Sequence, residues 1–145
     1  MDAPRSAERR KSDTLARLER DADAWIATAD VAGSAYLLPL SFFWDGIGMI
    51  ISTPRSSVTA RNLGRGARVR VGLGDVRDVT MVDGTAEPVD DKQTKEAFAA
   101  KHGWDPRKES GDYVYFRIVP ERVQAWREVN ELRGRTLMRD GQWLT

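Results

Sequence analysis

The stretch that most limits what this chain can fold into runs from Pro39 to Leu63, PLSFFWDGIGMIISTPRSSVTARNL. Two strand-forming runs, Leu37–Trp44 and Ile47–Thr53, meet at Asp45-Gly46. An Asp-Gly pair between apolar runs predicts a type I′ hairpin, because that turn needs positive φ at both central residues. The second run leads into Thr53-Pro54 and then a corner rich in hydroxyls (Ser52, Thr53, Ser56, Ser57, Thr59), with guanidinium groups at Arg55 and Arg61. Such a corner opening a helix would suit an anion, although a Ser/Thr cluster there also serves as an ordinary helix cap. Pro39 has no N–H to donate to a ladder, which predicts an edge or a break in pairing at that point. A broken edge leaves backbone free to meet a ligand.

The rest of the chain packs around this stretch. Residues 1–11 are polar and charged and are expected to form a flexible tail, ahead of one domain over residues 12–145. Ser12 or Asp13 is placed to cap a short helix with Leu15, Leu18 and Ala22 on one face. Ala24–Ala29 reads as a strand. Arg68–Gly74 alternates polar and apolar residues, the mark of a half-buried strand, and Arg77–Pro88 returns beside it after a turn at Asp75-Val76. Asp90–Lys101 reads as a helix that ends before the loop at Gly103. Tyr113–Val119 is a strand expected to break at Pro120 and resume over Arg122–Trp126. Asp140-Gly141 is a second hairpin signal, between Arg135–Arg139 and Gln142–Leu144. Seven or eight short strands with three short helices predict a mainly β, α+β architecture: an antiparallel barrel with peripheral helices, not a parallel sheet.

Composition removes several chemistries. The chain has no cysteine, which excludes disulfides, thiolate catalysis and Cys-ligated metal. Its single histidine, His102, excludes a His-rich metal site and reads most simply as a solvent-facing helix residue. A formal net charge of +1 provides no global field toward nucleic acid or membrane. No apolar run reaches the ~20 residues that span a bilayer, and no signal-peptide core opens the chain, so a cytoplasmic location is expected.

The order of these pieces resembles the flavin-binding split β-barrel superfamily, which includes the pyridoxamine 5′-phosphate oxidases and the F420-dependent reductases. The residues that carry the resemblance are Leu37-Leu-Pro-Leu-Ser-Phe42, Ile51-Ser-Thr53, Ser57 and Arg61-Asn-Leu63 around the hairpin. Arg77-Asp-Val79 and Gly84-Thr-Ala-Glu87 look like the next strand pair, and Trp126 with Glu131-Leu-Arg-Gly-Arg135 is similar to the closing motif of the oxidases. Two departures stand out. The oxidases' Arg-Lys phosphate pair falls on Val58 and Thr59, and their substrate-binding Arg and His fall on Glu131 and Arg133. The small flavin or deazaflavin reductases are therefore a better fit than a vitamin B6 oxidase.

The resemblance implies a split, Greek-key β-barrel that dimerises, with FMN or coenzyme F420 in a groove at the interface. Leu40, Ser41 and Phe42 would contact the ring. Ser52, Thr53 and Ser57 would donate to ribityl or phosphate oxygens, with charge from Arg55 or Arg61. Trp126 and Arg135 would complete the pocket from the partner subunit. No residue is assigned a catalytic role, and no metal is expected. The implied function is hydride passage between FMN or F420 and a small conjugated acceptor; the alternative is a non-catalytic flavin- or haem-binding carrier. From the residues alone, the tryptophans read as core or interface anchors and the arginines as partners of carboxylates.

Overall fold

Strand β4 (Arg68–Asp75) shows how the sheet divides: Val69, Val71 and Leu73 are buried while Arg68 and Arg70 stay exposed. The same alternation recurs along β1 (Asp23–Ala29), where Ala24, Ile26 and Thr28 point inward. In the computed structural model, which describes residues 1–145, these inward rows curl around one main core. The other strands are β2 (Ala35–Trp44), β3 (Met49–Pro54), β5 (Asp78–Val89), β6 (Tyr113–Trp126), β7 (Thr136–Arg139) and β8 (Gln142–Trp143). Their order is β3-β2-β1-β4-β5-β6-β7-β8, all neighbours antiparallel, and β3 also pairs with β6. Six strands thus close an antiparallel barrel. The chain leaves β3, crosses through α2 (Val58–Gly64) and re-enters beside β1, the Greek-key step expected for a split barrel.

The two Asp-Gly hairpins differ. Asp140 and Gly141 both have positive φ (53° and 76°), as a type I′ turn requires. At the first hairpin only Gly46 is positive. There the Asp45 carboxylate accepts from the N–H groups of Ile47 and Gly48, which makes a wider four-residue loop and delays β3 to Met49. The side chain captures the backbone that a two-residue turn would have used.

Pro120 does not break its strand. Register passes from Gly84↔Pro120 to Asp83↔Arg122, so Glu121 is an extra residue in a bulge and β6 runs unbroken from Tyr113 to Trp126. A bulge is where a sheet tolerates a missing N–H.

Helix α1 (Ala7–Arg20) also corrects the expectation. Its cap is Ser6, whose hydroxyl accepts from Arg9 N–H, and not Ser12 or Asp13. Its buried face is Arg10, Thr14 and Leu18, spaced four apart, with Leu15 half-buried and Ala22 beyond its end. Polar Arg10 and Thr14 hid this face from a search for apolar periodicity. Helix α3 (Lys92–His102), capped by Asp91 and stopped by Gly103 at φ 61°, lies over the outer face of β2, β3 and β6. A second small core of Ile50, Val89, Phe98 and Tyr115, flanked by Phe43 and Trp104, sits in that region. No helix is long and apolar enough to cross a membrane.

Candidate functional site

Strands β2 and β3 pair only from Trp44↔Met49 to Phe42↔Ile51. Beyond that rung β2 stays on β1 and β3 stays on β6, so the two strands part. Along each strand, successive residues direct their N–H and C=O groups to opposite sides. The Phe42 N–H donates to the Ala22 carbonyl on the β1 side and the Asp45 N–H to the Gly48 carbonyl on the β3 side, so the backbone of Ser41 faces β3. The Arg55 N–H donates to the Asp112 carbonyl on the β6 side, so the backbone of Ser52 faces β2. Ser41 and Ser52 flank the Phe42↔Ile51 pair and close its last rung, and the β2–β3 ladder goes no further. The following pair on the same sides, Pro39 and Pro54, have no N–H with which to resume the ladder. Two prolines therefore hold the split open.

A groove of about 500 Å³ occupies the split. Its two edges are Pro39-Leu40-Ser41 and Ser52-Thr53-Pro54, and Trp104 and Tyr113 form its aromatic side. The two rings meet edge to face with centroids 5.7 Å apart, and the Trp104 indole N–H donates to Glu109 Oε1 at 2.7 Å. Asp23 stands at the groove and its Oδ1 accepts from the Ser41 hydroxyl at 2.8 Å.

Four of the expected site residues, Leu40, Ser41, Ser52 and Thr53, thus share one groove. Their hydroxyls are largely committed: Ser52 donates to the Val114 carbonyl and Thr53 donates to Ser57 Oγ. Ser57 caps α2 by accepting from the Ala60 N–H, and also accepts from Thr53, which leaves its own O–H free to donate. Thr59 Oγ1 is buried without a partner. Arg55 is ion-paired to Asp112 at 2.7 Å and lines an adjoining cavity of about 360 Å³ with Lys95 and Tyr115. Arg61, exposed on α2, makes no ion pair.

Residues 13–127 match the protein family described as Pyridoxamine 5'-phosphate oxidase. The chain belongs to that family. Solved structures agree in fold. The haem storage protein HutZ of Vibrio cholerae aligns at 19% identity and TM-score 0.67, over 77% of this chain and 90% of that one. A FAD-binding protein of Mesorhizobium loti aligns at 21% and 0.64, over 79% and 90%. An F420 reductase aligns at 20% and 0.63, over 74% and 93%. Among curated proteins no match is found.

Against the family's motifs, the remaining expected residues fall apart in space. Phe42 is fully buried in the main core, so its ring lies away from the groove and only its backbone borders the split. Trp126 and Arg135 meet each other, guanidinium carbon 5.9 Å from the ring centroid. They sit at the far end of β6 from Tyr113, thirteen residues and roughly 40 Å of strand away. Within one subunit they cannot share the groove. His102 is not solvent-facing: it is half-buried, its ring packs 4.6 Å from that of Phe98, and its Nε2–H donates to the Phe42 carbonyl at 2.8 Å. Burial holds its pKa below the ordinary histidine value.

Glu131, at the position of a substrate-binding arginine, is buried and lies outside the β2–β3 groove. It accepts from Arg5 Nη2 at 2.7 Å, from Arg5 Nε and the Arg5 backbone N–H, and from the Arg127 N–H. Sequence inspection missed Asp23, Trp104, Tyr113 and Pro54 as groove residues. The equal distance of Pro39 and Pro54 from the hairpin loop could have found Pro54, whereas no sequence pattern connects the other three to the split.

Proposed function

We propose that this protein is an oxidoreductase of its family that binds FMN or F420 and passes hydride to or from a small conjugated acceptor. The observation that carries this is the parting of β2 and β3 beyond Ser41 and Ser52, where two prolines stop the ladder from resuming. It presents backbone that the ladder leaves unused to the polar edge of a planar ring, with the Ser57 hydroxyl proton and the uncompensated charge of Arg61 available beyond it. A bound flavin or deazaflavin supplies the hydride chemistry. The chain's part is to bind the ring edge, to keep water out with Trp104 and Tyr113, and to hold a phosphate with Ser57 and Arg61.

Titration with FMN and with F420, followed by reoxidation of the reduced complex with a quinone or enone, tests the proposal. Binding neither cofactor overturns it. Arg61→Ala is expected to weaken cofactor binding by about 1.5–3 kcal/mol, the range of a charge-assisted hydrogen bond. Arg65→Ala, on an exposed residue just past α2, should change it by no more than a few tenths. Identical titrations for the two variants would remove Arg61 from the site.

The family's interface groove, completed by Trp126 and Arg135 of a partner, requires a homodimer. The separation of these residues from the split supports it, as does an unpartnered outer face on β1 and β2. There Trp25 (52% exposed) lies opposite Pro39, and Leu37 (60%) opposite Ala27. Light scattering is expected to give twice the monomer mass at micromolar concentration; a strict monomer would contradict the shared site.

A second reading, a flavin- or haem-binding carrier without catalysis, is favoured by one observation. Val58 and buried Thr59 stand where the oxidases have a cationic phosphate pair. Tight binding with no reoxidation by any acceptor would select it.

A further inference from the structure

Of the groove's charged and aromatic residues, the family motifs account for none. Asp23 is its one charged lining residue, and no lysine, arginine or histidine joins it there. The carboxylate is exposed and has no ion pair; its hydrogen bond comes from the neutral Ser41 hydroxyl. Lys101, close in the fold, directs its ammonium to the Asp21 carbonyl and over the Phe42 ring 4.4 Å away, and is not part of the groove wall. Because the Ser41 proton is held by Asp23, Ser41 Oγ presents lone pairs to whatever enters: it accepts, and does not donate. Facing this acceptor pair is the Trp104–Tyr113 wall, with the indole anchored through Glu109.

We infer that the groove selects a planar ligand group that is neutral or cationic and carries an N–H or N⁺, with Trp104 as its stacking surface and Asp23 as the residue that sets charge preference. Two physical effects act together. A cation or polarised N–H gains from the carboxylate, and its ring gains from the π-face of tryptophan, the best of the aromatic side chains for this purpose. An anionic planar group meets Asp23 with no compensating cation in the groove. Any phosphate of a nucleotide cofactor therefore lies outside it, and the acceptor, or the ring portion itself, is uncharged or positive. Ser41 is a positioning partner, because its lone pairs face the groove only while Asp23 holds its proton. The inference names the ligand class for the groove in the proposed function, but it concerns the groove's own preference and does not need FMN to be the cofactor.

The test uses two bicyclic probes of similar size and opposite charge, 1-methylquinolinium and quinoline-2-carboxylate, titrated against the full-length protein by quenching of tryptophan fluorescence. Wild type is expected to bind the cation about tenfold more tightly than the anion. In Asp23→Asn the preference should fall to within about twofold, with the cation losing and the anion gaining. In Trp104→Ala both probes should weaken together and most of the quenching should disappear, while Trp104→Phe should keep the charge preference at lower affinity. Equal binding of the two probes by wild type would overturn the inference. So would a preference that survives in Asp23→Asn, or failure of both probes to bind. FMN titration of the same samples separates the two proposals. FMN binding without charge preference defeats only this inference, and charge preference without FMN or F420 binding defeats only the proposed cofactor.

Discussion

Glu131→Gln is expected to lower the unfolding free energy by about 3 kcal/mol at neutral pH. The Glu131 carboxylate accepts four hydrogen bonds, three from Arg5 and one from the Arg127 N–H, in a pocket where both partners are almost fully covered. The Arg5 guanidinium, against the opposing cost of burial, holds its pKa well below the ordinary 4.5, at about 2. A depressed carboxylate contributes stability that is fully present above its unfolded pKa and is lost as pH falls through its folded one. The wild-type advantage over Glu131→Gln should therefore be constant above pH ~5 and shrink steadily between about pH 4.5 and 2. Glutamine cannot reproduce the set, because its amide N–H₂ would point at an Arg5 donor and strand a buried guanidinium. Urea unfolding of both proteins across that range is the measurement; a gap independent of pH would mean that the ion pair is not its source. The consequence reaches the fold's closure. Arg10, buried beside this pair, gives its guanidinium protons to the carbonyls of Ala125, Glu131 and Arg133. Together Arg5 and Arg10 tie α1 to the segment that carries Trp126 and Arg135.

The second large effect is expected at Gly84→Ala. A Cβ at this position would collide with the Val119 carbonyl oxygen and lie 2.9 Å from its carbon. Both obstacles are backbone, so no side-chain rotation relieves them. Gly84 also adjoins the bulge that lets Pro120 sit in β6. Overpacking of this kind costs about 3 kcal/mol, the upper part of the usual range, since β5 and β6 must separate or re-register. Gly64→Ala is the control: nothing lies within 4 Å of its added Cβ, its φ is not positive, and it closes α2. There the change should be neutral or stabilise by up to about 1 kcal/mol. Thermal unfolding of the two variants should thus shift in different directions or by very different amounts, and similar shifts would show that the Gly84 approach is not a constraint.

What the sequence determined by itself was local. The Asp140-Gly141 turn, the alternation along Arg68–Gly74, the helix stop at Gly103 and the interrupted edge at Pro39 were all legible, because each depends on the φ or the missing N–H of a single residue or on a two-residue period. The mainly β barrel followed from the number and spacing of such pieces. Four of the ten candidate residues were brought into one groove because they flank the hairpin symmetrically, and hairpin register is itself local. Tertiary structure decided the rest. The start of α1 was hidden because its inward face is arginine and threonine, and Arg10 reaches carbonyls more than a hundred residues away. Glu131 read only as a departure from a substrate-binding arginine, and its pairing with Arg5 was set by the fold, since no sequence rule pairs positions 126 apart. Trp104 and Asp23 entered the groove from a loop and a strand end that pattern alone does not connect to the split. The positions of Trp126 and Arg135 depend on where one continuous β6 ends, and that was set by a bulge absorbing the proline expected to break the strand.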